Sequence, residues 1–218
     1  MSCPTLPRSQ SGFTLIEIAI VLVIIGLLLG GILKGQELIN NARVKNLAAD
    51  FRNIPVFIYG YQDKFRTLPG DDPIANTNLA GGITATTPSA PAARGNGLIE
   101  GAWNSATPTD ETFLFWQHIR LAGLASGPTD VAAPDYRPRN SVGGELGVQS
   151  AAPITGILPS TYYICSSGIL GKFVKQLDRQ IDNGETNSGN MMASDTLPAP
   201  VDTSSIADSS LYTVCMGI

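Results

Sequence analysis

From Phe13 to Leu33 the chain runs 21 residues with a single charged side chain, Glu17, and no proline. As a helix rising ~1.5 Å per residue this stretch is about 31 Å long, which matches a bilayer hydrocarbon core of roughly 30 Å. It is apolar on every face, so it does not read as the amphipathic core helix of a soluble domain. A secretory signal peptide has a shorter apolar core of about 7–15 residues and a small-x-small cleavage site. Here the core is longer, it carries an acid, and no such site follows Leu33. A plain membrane anchor explains the length and leaves Glu17 unexplained. An ionised carboxylate at the centre of a bilayer costs about 2.5–3.5 kcal/mol or more, so Glu17 needs a shallow position or a partner.

The stretch Ser11-Gly12-Phe13-Thr14-Leu15-Ile16-Glu17, with the apolar run behind it, resembles the N terminus of the prepilin class. That class comprises type IV pilins and the pseudopilins of type II secretion. The resemblance implies a leader from Met1 to Gly12, with Arg8 as its base, cut between Gly12 and Phe13 by a membrane aspartic peptidase on the cytoplasmic side. It further implies N-methylation of Phe13 and places Glu17 as the fifth mature residue, with a role in assembly. The implied organisation is a leader over 1–12, a transmembrane and filament-core helix over 13–33, the amphipathic half of that helix over 34–68, and a pilin-like head over 69–218.

Composition adds bounds. Charged residues make up 15% of the chain, against a usual ~25%, partly because the span holds almost none. Of 14 basic residues the leader takes Arg8, which leaves 13 against 18 acidic ones. That acidic balance argues against a general nucleic-acid binder. Cys3 falls in the leader, so an exported chain keeps Cys165 and Cys215. An even pair outside the cytoplasm suggests one disulfide, and two free buried cysteines are the alternative.

Past Lys34 the pattern becomes amphipathic. Val44, Leu47, Phe51, Ile54, Ile58, Tyr61, Phe65 and Leu68 recur at spacings of three and four, one face of a helix. The expected helix runs from about Thr14 to about Arg66, with Pro55 inside it as a kink site. Gly26, Gly30, Gly31 and Gly35 punctuate the span and its exit. Small residues there let neighbouring helices approach, and in the prepilin class this region is one that unwinds locally in filaments.

Leu68-Pro69-Gly70-Asp71-Asp72-Pro73 ends the helix with turn chemistry. Residues 74–107 read as a long loop. Thr107-Pro108-Thr109-Asp110-Glu111 predicts a helix start, with Thr107 as the cap and Pro108 at the first helical position, running to about Leu121. His118, the sole histidine, reads as a surface or packing residue. Residues 128–140 are irregular. Strands are predicted at Glu145–Gln149, Thr161–Cys165, Met191–Ala193 and Leu211–Cys215, and a helix capped by Ser167 carries Phe173, Leu177 and Ile181. Few strands after one long helix predict an α+β fold with a small antiparallel sheet.

Catalytic constellations do not emerge from the sequence. There is no G-x-S-x-G elbow, no P-loop and no dinucleotide fingerprint, so an enzyme is not expected and neither is a cofactor. The oxygen-rich set Asp178, Asp182, Asn183 and Glu185 is a calcium candidate by donor chemistry. The calcium loop of major pseudopilins, to which the resemblance points, raises that candidacy, although turn chemistry alone explains Asn183-Gly184. The expected function is a structural subunit of a type IV pilus or related pseudopilus. The alternatives are a minor pseudopilin of a type II secretion system and an adhesive or DNA-capturing minor pilin. The resemblance implies other pilin subunits, the prepilin peptidase and an inner-membrane assembly platform as partners. It also implies a single-pass inner-membrane location that gives way to a periplasmic or cell-surface filament.

Overall fold

A computed structural model describes Gly12, residues 14–79 and residues 94–218. The predicted leader and Phe13 lie outside the described residues, as does most of the 74–107 loop. By internal contacts the chain divides into Met1–Ala42 and Arg43–Ile218.

Helix α1, Leu15–Phe65, is continuous through Pro55 and through all four glycines of the span. Its predicted limits were one residue off at either end. Among the described residues, the part of α1 in the first unit buries no large apolar side chain. Its large side chains stand open, from Ile25 at 46% to Leu15 at 92% exposure. A Cβ added at Gly26, Gly30, Gly31 or Gly35 would meet nothing within 4 Å. These glycines therefore answer no packing need among the described residues.

The second unit is built on the other part of α1. Val44, Leu47, Phe51, Ile54, Ile58 and Tyr61 are buried, as the spacing predicts, and Leu68 joins them. Full burial of one such aliphatic or aromatic side chain stabilises by about 1.5–3 kcal/mol. Arg66, at φ 62°, takes the left-handed conformation that terminates the helix. A short helix α2, Ala75–Asn78, and helix α3, Glu111–Leu121, follow.

The sheet has four antiparallel strands: β1 Leu146–Gln149, β2 Tyr163–Leu170, β3 Met191–Ser194 and β4 Leu211–Gly217, in the order β1-β2-β4-β3. Helix α4, Gly171–Ile181, connects β2 to β3. Successive side chains alternate faces, and the two faces bury different sets. Leu146, Val148, Ile164, Val214, Met191 and Ala193 share a core with the α1 stripe, with Phe115 and Ile119 of α3 and with Phe173 and Leu177 of α4. On the other face Tyr163, Cys165, Met192 and Cys215 pack with Trp103, Ile154 and Ile157. The α+β class is as predicted and all four predicted strands are present, with β2 running Tyr163–Leu170 in place of 161–165.

Two caps differ from expectation. Helix α3 begins at Glu111 behind Asp110 rather than behind Thr107. Residues 107–110 form a turn instead, in which the Asp110 amide donates to the Thr107 carbonyl at 3.1 Å. The Asp110 carboxylate accepts from Ser105 Oγ at 2.6 Å. Ser167 caps no helix. It lies inside β2, where its hydroxyl accepts the Glu145 amide at 2.9 Å, and the strand continues past a bulge to Leu170 before α4 begins.

Candidate functional site

The polar residues at the head of α1 form a closed local arrangement. The Thr14 amide and the Thr14 hydroxyl both donate to Glu17 Oε2, each at 2.7 Å. The Glu17 amide donates back to Thr14 Oγ1 at 3.3 Å. With α1 starting at Leu15, Thr14 is the N-cap and Glu17 the third helical residue, so Thr14-Leu15-Ile16-Glu17 is a capping box. Two of the backbone donors that a helix N terminus leaves unsatisfied are met here without water. The carboxylate is also placed where the helix dipole favours negative charge. Sequence reasoning gave Glu17 a task between subunits and passed over this nearer one, although T-x-x-E before an apolar run is its signature. Gly12 lies just before this cap and is exposed.

The Cys165–Cys215 disulfide is formed. The two residues are directly opposed in the β2–β4 ladder, with Cα atoms 4.1 Å apart, and both are fully buried. The bond therefore links neighbouring strands across the sheet face that does not carry α1.

Each calcium candidate has an oxygen engaged by a nearby donor, while Asp178 Oδ2 is buried without a hydrogen-bond partner. Asp178 Oδ1 accepts the Gly184 amide at 2.6 Å, and Asp182 Oδ2 accepts the Met191 amide at 2.9 Å. Asn183 Oδ1 accepts the Glu185 amide at 2.8 Å, and Glu185 Oε2 accepts from the Thr203 hydroxyl at 3.1 Å. These bonds brace the α4–β3 connection. Among the described residues no three His, Cys, Asp or Glu side chains gather as a metal-holding cluster. Burial, the largest influence, pushes the Asp178 carboxyl up to about 6.

His118, read as a surface or packing residue, is fully buried, and its Nδ1 accepts the Gly70 amide at 2.9 Å. An accepting Nδ1 carries no proton, so the ring is neutral with its hydrogen on Nε2. Its ring lies 6.1 Å from that of Tyr61. The Tyr61 hydroxyl in turn donates to Asp72 Oδ2 at 2.8 Å.

Residues 7–33 match the family model of the prokaryotic N-terminal methylation motif. The match ends where the apolar run ends and takes in Gly12, Phe13 and Glu17. No curated protein and no solved structure matches the chain. The N terminus is thus that of a prepilin-type precursor, the class that holds type IV pilins and pseudopilins. That class is structural rather than catalytic, and its motif implies handling by a prepilin peptidase and assembly with other pilin-type subunits. An apolar helix of membrane length near the N terminus fits a membrane-anchored precursor.

Proposed function

We propose that this chain is a structural subunit of a type IV pilus or a related pseudopilus. In this reading it is cut between Gly12 and Phe13, methylated on the new Phe13 amine and polymerised through α1. One observation carries the reading. The methylation motif opens a single unbroken helix whose first part exposes its apolar side chains and whose second part is the spine of the head. Exposed apolar surface on that scale needs a lipid or protein cover, and a filament of like chains supplies protein after lipid has supplied the first. In this reading an assembly motor acts from the cytoplasm on the assembly platform, so the chain itself needs no nucleotide site.

Electron microscopy of sheared surface filaments, from cells with and without the gene, tests the assignment. Filaments that persist unchanged in number and composition without the gene count against a major subunit. Filaments that disappear from the cell surface support it, and a secretion defect without lost surface filaments places the chain in a pseudopilus. Processing is tested separately by intact mass and N-terminal sequencing of membrane-extracted protein, where the expected mature chain begins at Phe13. Gly12→Leu is expected to accumulate as full-length precursor, because a bulky side chain replaces the hydrogen at the scissile position. A wild-type chain still beginning at Met1 or Ser2 defeats this processing.

A further inference from the structure

Three consecutive residues after α1 are each gripped by a different polar side chain or backbone loop. Gly70 donates its amide to His118 Nδ1, and Asp72 accepts from Tyr61 and from the Asn78 amide group at 2.8 Å each. Between them Asp71, fully buried, accepts backbone amides from Gly95, from Asn96 at 3.3 Å and from Gly97 at 2.8 Å. Gly70 itself admits no side chain. At φ 94° a Cβ there would collide with the Glu111 carbonyl oxygen, so the turn lies directly on the first residue of α3.

The Glu111 side chain is also buried. Its Oε2 accepts the Glu100 amide at 2.8 Å. Its Oε1 is buried with no N–H or O–H donor, and the Glu111 and Asp71 side chains interact with one another. Two carboxylates in contact and out of water cannot both stay ionised, so one proton lies between them. Asp71, with three amide donors, is the better anion, and Glu111, with one, is the acid that donates. Among the described residues the charged groups that bear on Glu111 are Asp71 and Glu100, both acidic. No cation stands in for the proton.

We propose that Glu111 and Asp71 form a proton-dependent clasp, in which one shared proton pins residues 95–100 and the turn at 70–72 to the start of α3, and loss of that proton releases them. Burial, before any other cause, pushes Glu111 up to about 7, and it raises Asp71 as well. A carboxyl whose folded pKa lies above its unfolded value favours the folded state most at low pH. That benefit declines between about 4.5 and about 7 and is gone above. The clasp is therefore closed in mildly acidic surroundings and weakened in alkaline ones.

Glu111→Gln is the test. The amide keeps an oxygen for the Glu100 N–H and offers an N–H to Asp71, but it does not titrate. In full-length protein in detergent, thermal unfolding and hydrogen exchange over residues 94–101 are followed from pH 5 to pH 8, with exchange corrected for its intrinsic pH dependence. The wild type is expected to lose protection in that segment across the window, and Glu111→Gln to keep it. The variant is expected to melt higher than wild type at pH 8 by on the order of 3–6 °C, and about equally at pH 5. Asp50 and Asp178, also raised by burial, titrate in both proteins and leave the difference unchanged. Identical pH profiles for the two proteins overturn the clasp. Should the variant not fold, wild-type exchange alone decides, because a segment equally protected at pH 5 and pH 8 overturns it too.

Discussion

A strain whose only copy carries Glu17→Gln is expected to insert and cleave the subunit, and to form few or no filaments. The substitution separates the capping task seen in the structure from the subunit-pairing task proposed for the same carboxylate. Gln at the third helical position still accepts from the Thr14 amide, so it preserves the capping box seen at the head of α1. It cannot neutralise the Phe13 amine of an incoming subunit. An unpaired charge left in an apolar bundle costs several kcal/mol. At about 1.4 kcal/mol per tenfold, that is two or more orders of magnitude in subunit addition. Glu17→Val removes both tasks and is expected to assemble poorly as well, after normal processing. Filament yield is read by shearing and microscopy, with processing confirmed by mass. Normal yield from Glu17→Gln with failure of Glu17→Val assigns the residue to the helix cap and ends the subunit-pairing reading. Normal yield from both leaves Glu17 to the processing enzymes.

The second large effect is expected at the disulfide. Cys165 and Cys215 are 50 positions apart in sequence, and closing a loop of that length restricts the unfolded chain by about 4 kcal/mol in the chain-entropy account, whose mechanism is model-dependent. Domains are stable by only about 5–15 kcal/mol in total. The double substitution Cys165→Ala, Cys215→Ala is therefore expected to lose a quarter or more of the head's stability. It is also expected to lower the level of exported subunit. Denaturant unfolding of the oxidised and reduced wild type beside the double variant measures this. Coincident unfolding curves would show that the bond adds nothing to the ladder it spans.

Much of the architecture was legible because it is written in local periodicity. The stripe from Val44 to Tyr61 repeats at helical spacing and is buried as that spacing requires. The segment from Thr161 to Cys165 advertises itself through aromatic and β-branched residues. Side-chain tasks that depend on residues far apart were not legible. Gly70 and His118 are 48 positions apart, and nothing near His118 shows that its Nδ1 will receive a backbone amide. Asp71 and Glu111 look like ordinary turn and helix-start acids until folding places them face to face. The cap of α3 was misplaced because Thr107-Pro108 and Asp110-Glu111 both carry start signals, and tertiary contacts chose the later one. At Glu17 the local signal was present in Thr14, and a reading drawn to subunit pairing overlooked it.

Strand β4 follows the other three strands in sequence, yet it sits inside the sheet, paired on one side with β2 and on the other with β3. Strand β3 has no other strand partner. During synthesis the apolar segment of α1 emerges well before the strand that joins β3 to the rest. The head therefore waits on residues 211–217 to close its sheet, with its membrane-seeking end already free to engage a bilayer. A ribosome that stops short of Leu211 would deliver a chain with an open sheet edge and an unpartnered Cys165. The order of elements thus makes synthesis of β4 the step on which closure of the sheet depends.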